Sequence, residues 1–511
     1  MNRKTLLIII LFLILTVCFS ACDQAEEKNK NGELQSYTHT SSITDTSDET
    51  NDIPTQTDDE QTIVHTHTAA KAVKENEVAA MCEKAGSYDE VVYCSACREE
   101  LSRTAKSVSK LSHSYQNGVC IHCKAPKTSE GLKFKSNGNG TCSLAGIGSC
   151  KDADIIVPSV SPSGDRVTAI AACAFYNCIA LDSIRIPESV TSIGNDAFAY
   201  CANMRTVILS NNITSWGSGV FAGCESLQYN QSGGLGYVGS EQNTYMVLVK
   251  VNDKTKVSYE VNTKTVFISN NAFASCSNAT SIAIGEQVVS IGDCAFQNCS
   301  SLVSIILPQN LAEINESLFF GCNALESVNM PSKVTVIKNN AFAFCKSLKT
   351  VELPEGLKKI EASAFYFCLS LTEISIPNSV IEIQEDVFKD CSLLSTAVLP
   401  NRITVIPSAL FRNCSSLKSI TIPGSVTEIG TQAFENCTSL ESIVIPAAVK
   451  TIKGDAFRNC SKLKSIRFEN TSGWQCFDVN TPMIDILDLS DTERNAIYLT
   501  FRYNQYKWKR T

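Results

Sequence analysis

Between Cys276 and Cys460 a cysteine recurs every 23 residues, at 276, 299, 322, 345, 368, 391, 414, 437 and 460, and Cys178, Cys201 and Cys224 keep the same step. A phenylalanine stands three residues before each of these twelve cysteines, from Phe175 to Phe457. A fixed period of this length marks a solenoid, in which each repeat stacks only on its neighbours. The chain is 511 residues long and 44% hydrophobic, enough for a large core, but a repeat array lengthens without adding domains. Such a scaffold weights function towards surface recognition and away from catalysis.

One rung shows how the period is used. It reads Leu417-Lys-Ser-Ile420-Thr-Ile422-Pro423-Gly-Ser-Val426-Thr-Glu-Ile429-Gly-Thr-Gln-Ala433-Phe434-Glu-Asn-Cys437. The alternation Ile420, Thr421, Ile422 has the two-residue period of a strand with one buried face. Pro423 ends that strand, because proline cannot donate into a ladder. Val426 and Ile429 bring the chain back through the core, and Ala433, Phe434 and Cys437 have the spacing of one short helical turn on the opposite side. The expected fold is an α/β-type solenoid dominated by parallel β structure, with short helical turns on its convex side.

This order resembles the leucine-rich repeats of the BspA-like, Treponema-type family, over roughly residues 131–511. Gly131–Ile170 resembles that family's degenerate opening rung, Tyr245–Lys250 its mid-array insertion, and Trp474–Arg510 its closing cap. The step from Cys224 to Cys276 is 52 residues, two periods plus six, so one rung carries an excursion. Tyr245–Val251 and Val257–Val261 read as a hairpin within it. About fourteen rungs at ~4.8 Å each give a sheet of roughly 65 Å.

The N-terminus carries a second signal. Arg3 and Lys4 precede an unbroken apolar run from Leu6 to Leu15, as in an export signal. The run closes on Phe19-Ser-Ala-Cys22, which resembles the bacterial lipobox with Phe19 in place of the usual Leu or Val. That resemblance implies a lipid on Cys22 and a protein held on the cell envelope, since acyl chains anchor at ~0.8 kcal/mol per buried CH₂. The alternatives are ordinary cleavage near Ala21 or an uncleaved anchor. From Asp23 to Val64 there are eleven carboxylates against Lys28 and Lys30, and hardly any large apolar side chain. Such a segment reads as an extended, disordered tether. Without it and the leader, the net charge of −8 falls to about −1, which leaves no electrostatic footprint for nucleic acid.

Residues 65–128 read as a small Cys/His-rich module. Cys94-Ser-Ala-Cys97 and Cys120-Ile-His-Cys123 are two C-x-x-C knuckles 22 residues apart, close to the spacing of a four-cysteine zinc ribbon. Cys94, Cys97, Cys120 and Cys123 are therefore candidate ligands of a structural zinc, the single cofactor the sequence suggests. Disulfides stapling a core too small to hold itself are the alternative. The stretch His113–Cys123 also resembles small Cys/His modules on surface proteins of Gram-positive anaerobes. The resulting order is leader 1–21, tether 22–64, module 65–128, solenoid 129–468 with an insertion at about 229–265, and cap 469–511.

No Gly-rich phosphate loop, G-x-S-x-G elbow or H-E-x-x-H motif is present, and all five histidines precede the array. An enzyme is not expected. The cysteine ladder reads as core, since a free thiol among apolar side chains behaves as a small, inert hydrophobe. Neighbouring rungs also stand close enough for disulfides.

That leaves the outward sheet positions. The first is most often Ser or Thr, and the second varies: Arg185, Ile208, Ile306, Asn329, Glu352, Ser375, Val398, Thr421, Val444 and Arg467. A constant scaffold with variable outward residues is what a recognition face requires. The family resemblance implies adhesion to host extracellular-matrix proteins, glycoproteins or other cell surfaces. A spacer that displays the Cys/His module and a metal-handling lipoprotein are the rival readings.

Overall fold

The computed structural model describes residues 67–82, 84–116, 119–477 and 489–510. The leader, Cys22 and the acidic tether lie outside the described residues. The described chain divides into two compact units, one of residues 67–75 and 89–105, the other of residues 76–88 and 106–510.

From Leu132 onward the larger unit is a β-solenoid whose strands stack in parallel with a 23-residue offset. In a first sheet Asp154–Ile156, Ser183–Arg185 and Thr206–Ile208 pair side by side, Ser183 opposite Thr206. The same register joins Ser304–Ile306 to Ser327–Asn329, Glu373–Ser375 to Thr396–Val398, and Ser442–Ile445 to Ser465–Phe468. The middle residue of each strand points inward and is buried, as at Ile184, Ile305, Ile374 and Ile443.

A second parallel sheet runs through the Val-x-x-Ile segment. Val336–Ile337, Lys359–Ile360 and Glu382–Ile383 pair in register, as do Val405–Ile406, Glu428–Ile429 and Thr451–Ile452. Each of these strands is two residues long, too short for alternation to reveal it in the sequence.

The third side departs from the expected short helical turns. Each rung places two residues four apart in the left-handed region: Asp196 and Tyr200, Asn340 and Phe344, Asp386 and Asp390, Gln432 and Asn436, at φ of 53° to 64°. Left-handed residues stop a right-handed helix from propagating and turn backbone N–H groups towards the next rung. Thus Phe342 N donates to Ala364 O at 2.8 Å and Phe344 N to Tyr366 O at 2.8 Å. Asparagine, aspartate and glycine tolerate this conformation best, which explains their frequency just before the ladder cysteines.

The core is a set of one-residue stacks. Phe273, Phe296, Phe319, Phe342, Phe365, Phe388, Phe411, Phe434 and Phe457 lie ring on ring at centroid distances of 5.1–5.7 Å. The cysteines do more than fill space. Ten of the twelve ladder thiols, all but Cys178 and Cys276, donate to the carbonyl of the phenylalanine 26 residues earlier, as in Cys345 to Phe319 O at 3.2 Å and Cys414 to Phe388 O at 3.1 Å. These carbonyls also accept a backbone N–H within their own rung, Cys322 N to Phe319 O at 3.0 Å and Cys391 N to Phe388 O at 3.2 Å, so the thiol of the next rung occupies the second lone pair of an oxygen already engaged. No disulfide joins any of the described cysteines.

The excursion is built differently from the hairpin read in the sequence. Val247–Val251 pairs antiparallel with Leu235–Val238, while Ser258–Glu260 joins the first sheet in parallel with Ser281–Ala283. Buried Tyr259 takes an ordinary inward rung position, which holds Ser258–Glu260 in the array. Both array edges are covered by antiparallel strands. Lys133–Ser136 pairs with Thr141–Gly146 at the start. At the end Lys507–Arg510 lies between Thr451–Ile452 and Trp474–Phe477, with Trp474 and Trp508 buried. Covering strand edges in this way prevents end-to-end association.

Two expectations follow. Burial pushes the Cys201, Cys299, Cys391 and Cys460 thiols up to about 12, and Cys322, Cys345, Cys368, Cys414 and Cys437 well above the ordinary value. Because the folded-state values exceed those of the unfolded chain, this stabilisation is whole below about pH 8.5 and is lost as pH rises. Each thiol then removes about 1.4 kcal/mol per pH unit, so urea midpoints should fall steeply at alkaline pH, and Cys→Ala at several rungs should flatten the slope. Separately, Asn413 sits at φ 63°, donates to Asp390 Oδ1 at 2.6 Å and accepts from Asn436 Nδ2 at 2.6 Å. Asn413→Leu should destabilise by about 2–3 kcal/mol and Asn413→Gly by about 1 kcal/mol in urea unfolding.

Candidate binding face and metal-ligating groups

Two faces of the solenoid carry outward side chains, and their chemistry differs. The second sheet is laced with charge that is paired internally: Lys338 with Glu313 at 2.6 Å, Lys359 with Glu382 at 3.1 Å, Lys453 with Glu428 at 2.7 Å. Lys359 Nζ also lies 3.4 Å from Glu361. The Glu382 carboxyl is held below its usual range, first by a hydrogen bond from Gln384 and then by Lys359.

The first sheet is different. Its variable positions fall opposite one another across the ladder, Ile306 beside Asn329, Ser375 beside Val398, and Val444 beside Arg467. They form one stripe of exposed residues in which aliphatics stand free, Ile306 at 71% exposure, Val398 at 53% and Val444 at 37%. Glu352, Ser375, Thr421 and Arg467 are exposed between them.

Four of the ten sequence-derived positions are engaged within the molecule, Arg467 through an ion pair with Glu469 at 3.9 Å. Asn329 accepts from Leu307 N at 2.7 Å and donates to Leu307 O at 3.2 Å, replacing a ladder bond with its side chain. Arg185 pairs with Glu241 of the excursion at 2.7 Å. Ile208 bridges to Gly239 and is half-buried. The excursion therefore interrupts the stripe, and its open part runs from Ile306 to Arg467. Sequence spacing located the positions and the excursion, but not that the excursion covers two of them.

The Cys/His residues form two groups. In the smaller unit His67, Cys94 and Cys97 converge; in the larger unit Cys82, His113, Cys120 and Cys123 converge. Within each group the ligand atoms lie within 4.8 Å of one another. The four thiols expected to share one zinc are thus divided between two groups, and each knuckle has its own histidine.

Local hydrogen bonding explains the division. In one knuckle Arg98 N donates to Cys94 O at 3.0 Å, with Arg98 at φ 62°; in the other Lys124 N donates to Cys120 O at 2.9 Å, with Lys124 at φ 63°. Ser95 N binds Thr68 O at 2.8 Å, and Ile121 N binds Ser114 O at 2.9 Å. Each knuckle is therefore tied to the residue that follows a histidine, His67 or His113. The histidine-to-knuckle repetition was present in the sequence, but C-x-x-C spacing alone drew attention to the thiols.

Within the larger group the thiols are unequal. Burial, then the neighbouring Cys120 and Cys123, push Cys82 up to about 11. Burial acts on Cys120 in the same sense, but the backbone N–H groups of Cys123 and His122, the His113 ring and Ser114 outweigh it and bring Cys120 down to about 5. His113 Nδ1 lies 3.4 Å from Cys123 Sγ and its ring stacks on Tyr115 at 5.6 Å. In the smaller unit His67 Nδ1 lies 3.5 Å from Cys97 Sγ, and its Nε2 faces Glu99 at 3.4 Å.

Six copies of the BspA-type leucine-rich repeat region match residues 158–251, 266–395 and 391–502, well over half of the chain. The chain belongs to the BspA-type leucine-rich repeat family. Among curated proteins none matches it in sequence. A leucine-rich repeat protein from Bacteroides ovatus is 25% identical over 66% of this chain and 87% of its own, with a TM-score of 0.36. A leucine-rich cell surface protein from Faecalibacterium prausnitzii is 24% identical over 68% of this chain and 95% of its own, with a TM-score of 0.28. The pneumococcal vaccine antigen PcpA is 17% identical over 68% of this chain and 88% of its own, with a TM-score of 0.32.

The BspA-type match accounts for the array but not for residues 67–128, where both Cys/His groups lie.

Proposed function

We propose that this protein is a surface-anchored bacterial binding protein, an adhesin that recognises host extracellular-matrix or other cell-surface proteins through the first sheet. The carrying observation is the open stripe from Ile306 to Arg467, where aliphatic side chains stand exposed among hydroxyls and a few charges. Exposed aliphatics set singly among hydroxyls and a few charges along one strip favour protein contact, whereas the second sheet has already neutralised its charge internally. Many weak contacts along a rigid array add through multivalency. The role is binding, not catalysis, and the partner is a protein or glycoprotein, not nucleic acid. Membrane attachment is through a lipid on Cys22, with the acidic tether holding the array away from the envelope.

Binding of the full-length protein to immobilised matrix glycoproteins and to intact host cells tests the face. Ile306→Glu combined with Val398→Glu should weaken saturable binding more than ~10-fold, because each charge must be desolvated in the interface, while thermal unfolding stays unchanged. Full binding by this double variant would remove the stripe from the contact and leave residues 67–128 to carry it. For the anchor, Cys22→Ala should move the protein from the membrane fraction to the soluble fraction; a variant still pelleting with membranes would exclude lipidation there.

A further inference from the structure

We propose that Cys82, His113, Cys120 and Cys123 form a closed structural site for a tetrahedral, thiophilic divalent cation, zinc by its chemistry, and that this ion is the core of the segment preceding the solenoid. Two independent observations carry the proposal.

The first is geometric. Tetrahedral zinc with ~2.3 Å bonds to sulfur and ~2.0 Å to nitrogen has sulfur–sulfur edges of about 3.8 Å and sulfur–nitrogen edges of about 3.6 Å. Cys82 Sγ and Cys120 Sγ are 3.6 Å apart, and Cys123 Sγ and His113 Nδ1 are 3.4 Å apart. Three sulfurs and an imidazole nitrogen converge, the donor set of a Cys₃His site with no open position. A single disulfide among them would leave a third thiol and the ring without a role.

The second observation concerns burial. Among the described residues 76–88 and 106–128, the buried apolar side chains are Cys82 and Cys120. The larger apolar groups of the same stretch lie outside, Leu111 at 41% exposure, Val119 at 39% and Ile121 at 45%. The stretch buries two of the four ligands, with Cys123 half-buried and His113 exposed, where other small folds bury leucines. A segment with so little apolar burial needs a cross-link or an ion to offset its ordering entropy.

Among the described residues the His67, Cys94 and Cys97 group repeats the same knuckle with one ligand fewer, so it provides an internal control. The full-length protein is purified under reducing, metal-depleted conditions and titrated with Zn²⁺, and Co²⁺ absorption reports tetrahedral thiolate coordination. The Cys97→Ser variant should retain one tightly held zinc per chain. Adding Cys82→Ser should weaken that zinc more than ~100-fold, while His113→Cys, which preserves four ligands, should keep it. Chelation should expose residues 76–128 to protease and leave the repeat array resistant.

Three results would overturn the proposal: loss of the tight ion in Cys97→Ser alone, which would restore the four-thiol set; its persistence in the Cys82→Ser background; or recovery of Cys82 and Cys120 as a disulfide in protein isolated from the cell envelope.

Discussion

Everything in the array depends on register between neighbouring rungs. Since the period is 23 residues, each side chain meets its own counterpart one rung away, and any favourable pair is repeated along the molecule. A ring that stacks well stacks many times, as the phenylalanines do at 5.1–5.7 Å. A polar group that pairs with its copy can also run as a ladder. Asp390, Asn413, Asn436 and Asn459 hydrogen-bond side chain to side chain in that order. The same rule penalises charge, since like charges would stack too. The second sheet answers it by alternating Lys359 with Glu382 and by placing Lys338 and Lys453 beside Glu313 and Glu428.

What the sequence made legible was whatever repeats with the period and has a local signature. The Phe and Cys ladders, the three-residue strands with one inward side chain and the two edge regions are of that kind. The second sheet was not legible, because Glu428–Ile429 and its counterparts are too short to show a strand period. The left-handed pairs were half-visible in Asn413, Asn436 and Asn459, and hidden where Phe344 and Phe367 occupy the same position. The thiol donation to phenylalanine carbonyls depends on where the backbone passes in the preceding rung, which no spacing reveals. The Cys/His grouping failed for a related reason. Two equal C-x-x-C pairs suggest mutual partners, but backbone bonds to Thr68 and Ser114 bind each knuckle to its own histidine.

Phe344 and Phe367 deserve a physical account because they break a local rule. A bulky residue at φ of 63° or 61° costs roughly 1–2 kcal/mol relative to glycine or asparagine. Their rings are half-buried against one another at 5.2 Å, and Phe344 also meets Phe320 and Tyr366 at 5.2 Å. Aromatic pairs of this geometry contribute about 0.5–1.5 kcal/mol each, enough together to offset the backbone strain. The outer turn can therefore exchange hydrogen-bonded asparagines for stacked aromatics without changing the fold.

The excursion shows what happens where the period fails. In a linear array the least favourable junction limits how cooperatively the whole unfolds. The buried apolar residues divide into two clusters that meet at this point, one ending at Phe267 and the other beginning at Leu235. The phenylalanine stack is interrupted between Phe221 and Phe273; Trp216, whose ring lies 5.6 Å from both Phe221 and Phe267, extends the aromatic packing of the first cluster as far as Phe267. On the turn side Ser218 donates to Asp293 at 2.7 Å, and Asn270 donates to Ser218 at 2.6 Å and to Asp293 at 3.0 Å. These three residues, up to 75 positions apart in sequence, hold the rung before the excursion directly against those after it. The inserted residues thus leave and rejoin on the sheet side, where Gly239 takes a ladder place beside Ile208. The polar clip of Ser218, Asn270 and Asp293 joins the rungs on either side, and the interruption falls on the face that carries the exposed stripe.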